Sequence, residues 1–530
     1  MKISKLLSSI LGILSVAVPG ISVQAAGTAP RLVVGIHIDQ LNSNYLEWFM
    51  DGFSEDGFKK LFQNGLVYKN MVHNFPRPDA ASASATISSG TIPGHHGIIS
   101  GKWFDRQTSG LVSCVTDPDY LGNYTTLRVS PKKFLCSTIG DELETSTKGI
   151  AKVFSVGISA EEAILSAGHS ADGVFWIDDE TGKWCTSTYY NYMPWWIQNI
   201  NDIRDMSEII GQTSWQPLYP LSYYQYMPYQ SSPTLFQYWL NKYGKDKVKA
   251  FKETPVVNTE VCNLGLETIQ KEKLGTDEIP DYLILNFTAS GNFDNSILMS
   301  SVELQDIYFR LDQEIGKIID MVERQAGLDN ALIYITGTGE PKNLAIEVNK
   351  DRPYNGNFYP DRCTSLLNLY LMAIYGNEKW ISSYHEQSIY LNKELIIKKG
   401  LSVDEISLKA AEFLGEFSGV QKVIRNRQLI SGDLDISMNR YRNGLSFERS
   451  GDIFIEIQPG WNIRNNDKNI KDFQIRYEAY NPSLVFFGSK LKSQTVFRPI
   501  SSGDIASTLS KVFRIRPPNA SSGIILQEMQ

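Results

Sequence analysis

Four short, almost unbroken apolar runs constrain this chain more than any other feature. Arg31–Asp39 reads RLVVGIHID, Tyr282–Phe287 reads YLILNF, Ala331–Thr336 reads ALIYIT and Ser483–Phe487 reads SLVFF. Runs this short, lacking the alternation of a half-exposed strand, suit strands covered on both faces, as in a largely parallel sheet between helical layers. The segment after the second run agrees. Leu304, Ile307, Tyr308, Leu311, Ile315, Ile318, Ile319 and Val322 recur at helical spacing and offer one apolar face to such a sheet. Strands alternating with helices predict an α/β fold. The 530 residues, 42% hydrophobic and 21% charged, leave room for one large core with elaborations.

Two regions interrupt the rhythm. Residues from about 170 to 274 are rich in aromatics, among them Trp184, Trp195, Trp196, Trp215, Tyr223, Tyr224, Tyr226 and Trp239, punctuated by Pro217, Pro220 and Pro228. They read as an insertion capping the sheet edge. Residues from about 380 to 450 read as mostly helical, turning into strands around Ile453–Ile457.

At the start, Lys2 and Lys5 precede the apolar stretch Leu6–Val18, and Val23-Gln24-Ala25 supplies small residues for cleavage. This predicts a signal peptide over residues 1–25 and an exported, soluble, periplasmic protein. The net charge of -7 and the absence of any Lys/Arg run argue against a nucleic-acid partner. The five cysteines (Cys114, Cys136, Cys185, Cys262 and Cys363) form no C-x-x-C pair, which disfavours a thiolate metal site. In an oxidising compartment they leave one or two disulfides open, Cys114 with Cys136 being nearest in sequence.

The opening VVGIHIDQLNSNYL, then SGTIPGHHGIISGKWFDR from Ser89, AILSAGHSADGVFWIDDETGKW from Ala163, SVELQDIYFRLDQEI from Ser301, SGDIFIEIQPGW from Ser450 and YNPSLVFFG from Tyr480 carry a resemblance. In this order they resemble the periplasmic alkaline phosphatases and their nucleotide pyrophosphatase/phosphodiesterase relatives, across nearly the whole chain. The resemblance implies a three-layer α/β/α sandwich with a largely parallel central sheet and inserted cap regions. It also implies a two-zinc site that clamps a phosphate ester while a Thr or Ser attacks phosphorus.

Carried over position by position, that chemistry is almost wholly replaced. The first ligand Asp remains as Asp39, but the nucleophile position is Ala80. The next Asp and His positions are Gly291 and Asn295, the adjacent Asp-His pair is Thr338-Gly339, and the last His is Tyr480. The phosphate-binding Asn, Lys and Arg positions hold Gly101, Ser159 and Glu161. A histidine census points the same way, since only His385 of the six lies in the C-terminal half.

These replacements predict a pseudoenzyme with no resident metal or other cofactor, binding an unknown envelope protein, glycan or small ligand. Asp39 alone is a poor zinc site and reads as a structural acceptor of backbone N–H groups. Asp79 suits a helix N-cap, and His95 and His96 suit packing or hydrogen bonding. Two alternatives stay open. One is a zinc-dependent phosphomonoesterase or phosphodiesterase with a rebuilt site drawing on His37, Asp39, Asp294 or Glu340. The other is a glycan-binding module using Trp195 and Trp196.

Overall fold

Every apolar run of the sequence becomes a strand of one sheet. The computed structural model describes residues 29–529 except 191–192, 226–234, 292–300, 342, 345–355, 431–433, 467–471 and 477–479. Residues 1–25, expected from sequence to be a signal peptide, and Tyr226, Pro228, Asp294 and Asn295 lie outside the described residues. In chain order the strands used below are β1 (Leu32–Asp39), β2 (Leu66–Tyr68), β3 (Gly122–Asn123), β4 (Val153–Gly157), β5 (Gly173–Ile177), β6 (Trp184–Ser187), β7 (Asp281–Thr288) and β8 (Ala331–Gly337). They continue with β9 (Ile381–His385), β10 (Ser388–Leu391), β11 (Val420–Arg425), β12 (Ile453–Ile457), β13 (Leu484–Gly488) and β14 (Gln494–Val496).

The large sheet has ten strands in the order β14-β2-β13-β8-β1-β7-β4-β5-β6-β3. Its centre, from β8 through β1, β7 and β4 to β5, is parallel. Strands β13 and β6 join it antiparallel on either side. Successive residues of β1 enter opposite cores, which explains why its sequence does not alternate. Val34, Ile36 and Ile38 pack with helices α3 (Val257–Lys271) and α4 (Ser301–Ala326). Val33 lies in the other core with α1 (Ala80–Ser89), α2 (Ala160–Ala167) and α5 (Asp504–Phe513). The result is the three-layer α/β/α sandwich, a mixed sheet with a parallel centre. Register places Asp39 opposite Thr288 of β7 and Ile38 opposite Gly337 of β8. The carboxyl ends of these strands therefore meet at one edge, where the connecting loops converge.

Residues 170–274 do more than cap the sheet, since β5 and β6 extend it. Most of their aromatics are structural. Trp184, Trp196, Trp215 and Tyr224 are buried in the main core, whereas Trp195 is 73% exposed, Tyr223 64% and Trp239 42%. Residues 358–463 include a second, antiparallel sheet in the order β9-β10-β12-β11. It has its own core around Cys363, Leu367, Trp380, Ile389, Ile406 and Ile455.

No disulfide forms, contrary to the possibility left open by the sequence: all five cysteines are buried free thiols. Each is packed singly. Cys136 points at the His95 carbonyl, Cys185 at that of Trp176 and Cys262 at that of Glu314. No helix among the described residues is long and apolar enough to cross a membrane.

Candidate functional site

At the converging strand ends lies a cleft of about 220 Å³. It gathers Asp39, Asp79, Ala80, Gly101, Ser159, Glu161, Gly339 and Glu340, eight of the positions singled out in the sequence. Gln40, Ala81 and Glu162 complete its lining.

Asp39 ends β1 as a half-buried residue. Its Oδ1 accepts the Gly339 amide at 3.1 Å and its Oδ2 the Gln40 amide side chain at 3.0 Å. Gln40 turns the chain with φ 60, and its amide bonds the Gly339 carbonyl at 3.1 Å. The close approach requires glycine at 339: a Cβ there would run into Asp39 Oδ1 and come 3.0 Å from the Ala80 amide nitrogen.

Asp79 caps α1 and closes a capping box with Ser82. Its Oδ1 accepts the Ser82 amide at 2.8 Å and the Ser82 hydroxyl at 2.6 Å. Its Oδ2 accepts the Gly101 amide at 2.6 Å. A backbone donor of the cleft wall, the Gly101 amide, and one at the N-terminus of α1, the Ser82 amide, are thus taken by a carboxylate of the chain itself. Ala80 follows as the first residue of α1, presenting a methyl group and no hydroxyl.

Burial, with Glu386 nearby, pushes the Asp79 carboxyl up to about 6. Burial, with the charges of Asp39 and Glu161, pushes Glu162 up to about 8. Glu161 accepts the Ser113 hydroxyl at 2.9 Å. Sequence reading missed Glu162, although a second acid beside Glu161 in the first turn of α2 was the signal for it.

The remaining positions do not line the cleft. Thr338 and Gly291 are buried. Tyr480 is 7% exposed and stacks on His73, with ring centroids 6.2 Å apart. Its hydroxyl occupies the space a Cβ on Gly337 would need. His37 faces the core, bonding the Tyr334 hydroxyl at 2.9 Å and the Ser166 hydroxyl at 3.3 Å. Burial pulls it down to about 3. His96 bonds Thr86 at 3.0 Å and accepts the Ile98 amide at 3.1 Å, while His95 bonds Thr91 at 3.1 Å.

These residues do not fit the two-zinc centre that the resemblance implies. No histidine lines the cleft, and the side chain of any ligand at 339 would meet Asp39. Among the described residues, no three His, Cys, Asp or Glu side chains gather as a metal-holding group. What the cleft does supply is an acidic wall of Asp39, Asp79, Glu161, Glu162 and Glu340.

The profile of the type I phosphodiesterase / nucleotide pyrophosphatase family matches residues 33–479. The chain is 27% identical over 524 residues to a Myroides odoratus protein named calcium-transporting ATPase, covering 94% of both chains. It is 25% identical over 518 residues to alkaline phosphatase PafA of Elizabethkingia meningoseptica, again covering 94% of both. The crystal structure of PafA superposes with a TM-score of 0.82 at 24% identity, over 95% of this chain and 99% of that one, and shows the same fold.

Proposed function

Because the chain belongs to the type I phosphodiesterase / nucleotide pyrophosphatase family, within the alkaline phosphatase superfamily, we infer that it is an exported pseudoenzyme. It keeps the scaffold but binds a ligand or envelope partner in place of hydrolysing phosphate esters. The observation carrying this is the cleft itself. Ala80, which the resemblance places at the family's nucleophile position, lines it with a methyl group, and carboxylates form its walls. Glu162 holds its proton near neutral pH. Like charges 4 Å apart repel by about 4 kcal/mol at an effective dielectric of 20, so the ionised carboxylates of this lining oppose a phosphate dianion. The Gly101 amide at the cleft wall is already taken by Asp79. The family's sequence and fold do not by themselves carry its chemistry; the site must.

The test is hydrolysis of p-nitrophenyl phosphate and bis-p-nitrophenyl phosphate by the purified protein with added zinc, compared with Asp39→Ala. The expected result is no turnover that depends on Asp39. Turnover abolished by Asp39→Ala would establish the rebuilt metalloenzyme, a second reading favoured by the phosphatase name of its relative.

A further inference from the structure

The second notable cavity lies where the β9–β10 hairpin and the helices after β11 meet the loop before α1, beside the acidic cleft, whose Asp79 lies near Glu386. It is about 70 Å³, lined by apolar Phe75, Leu429 and Phe454 and by the charged pair Arg77 and Glu386. Arg77 is held there at evident cost. Its backbone takes φ 48, a left-handed conformation that disfavours bulky residues. Its guanidinium lies over the Phe454 ring, 4.1 Å from the centroid, and that ring is in turn packed edge-on by Tyr441. Its Nη1 is buried and finds no hydrogen-bond partner among the described residues. A buried charged donor left this way is expensive, so a group that accepts from it stabilises the pocket. Burial also pulls the guanidinium pKa down.

Glu386 supplies the opposite charge at the mouth. It sits in the two-residue turn Glu386-Gln387, whose φ values of 46 and 63 fit the tight hairpin turn that fixes its position. Arg77 can receive an anionic group and Glu386 a cationic one, so a molecule carrying both charges uses both groups, whereas an anion or cation alone uses one. The cavity is small and part apolar, which favours a compact molecule with a short side chain.

We propose that this junction pocket binds a small zwitterion of the α-amino-acid class, its carboxylate on Arg77 and its ammonium toward Glu386. The proposal does not require the neighbouring acidic cleft to be catalytic. Calorimetric titration of the purified protein with glycine, alanine, acetate and methylammonium tests it. Glycine or alanine is expected to bind at least tenfold more tightly than acetate or methylammonium. Arg77→Lys, which keeps the charge but loses the planar fork, should weaken the amino acid at least tenfold. Glu386→Gln, on an exposed turn that should still fold, should reverse the preference in favour of acetate. If neither amino acid binds, the cavity holds only water and the proposal falls. It falls equally if acetate matches glycine, or if the Glu386→Gln titrations overlay those of the unaltered protein.

Discussion

Asp39 Oδ1 lies 3.1 Å from the amide nitrogen of Gly339, tying the carboxyl ends of β1 and β8 together across 300 positions of sequence. The carboxylate occupies the volume into which any side chain at 339 would project. Placing there the histidine that the resemblance implies therefore means displacing Asp39 and giving up its hydrogen bond. Gly339→Ala is expected to cost about 1–3 kcal/mol of stability, read by urea denaturation. Gly339→His should cost at least as much and still retain no zinc after desalting. Stoichiometric zinc on Gly339→His would show that the site is merely relaxed.

Stability should fall as pH rises from about 6.5 to 8. Glu162 and Glu144, each pushed up to about 8 mainly by burial, hold protons in the folded state that the unfolded chain releases near its ordinary 4.5. Their contribution is therefore lost as pH rises toward the folded value. His169 adds to the loss, because its hydrogen bond to Asp141 raises its pKa although burial opposes it. Below 6.5 the buried histidines act oppositely. His37 and His96, at about 3, and His73, at about 4, gain stability as pH rises toward 6.5, offsetting the decline from Asp79. Denaturation midpoints at pH 6.5 and 8 check this. Glu162→Gln should shrink the drop, and an unchanged drop would place the titrating group elsewhere.

The fold was legible because burial on both sheet faces leaves a mark in sequence: β1, β7, β8 and β13 each match an apolar run to within a residue or two. The cleft was legible for a different reason. Asp39, Ala80, Gly101, Ser159, Glu161 and Gly339 sit at strand ends and helix starts whose flanking motifs fix their register. What sequence did not give is contact between distant segments. Nothing in the string announces that Asp79 bonds the Gly101 amide, that Tyr480 lies against Gly337, or that Glu340 shares a wall with Glu162. The shared facing of His37 and Asp39 could be counted from strand periodicity. That helix α2 would present Ser166 and close the core over His37 could not.

That enclosure yields a prediction for His37. Its ring nitrogens are committed to Tyr334 and Ser166, and Tyr334 in turn bonds Tyr282 at 2.6 Å. The residue is a neutral core group. His37→Leu should destabilise the fold by about 1–3 kcal/mol through the partners it leaves behind, while ligand or metal binding in the cleft stays unchanged. A loss of cleft binding without loss of stability would instead make His37 part of a rebuilt site.

The aromatic insertion separates into residues that hold the fold and residues that face solvent. Trp215 is fully buried, donates its indole N–H to Asp306 at 2.7 Å and packs against Phe236 with ring centroids 5.1 Å apart. Trp215→Ala is expected to cost about 3–5 kcal/mol, because it opens a cavity and strips a donor from a buried carboxylate. Trp196, also buried, donates to Glu272 at 2.8 Å and belongs with it. Trp195 and Trp239 expose their rings, and substitution of either by Ala should change stability by no more than about 0.5 kcal/mol. Glycan-array binding is the discriminating measurement. Binding lost in Trp195→Ala at unchanged stability would give the exposed rings a recognition role, since a stacked sugar needs a free aromatic face. Binding that survives Trp195→Ala and Trp239→Ala alike would assign this region to packing alone.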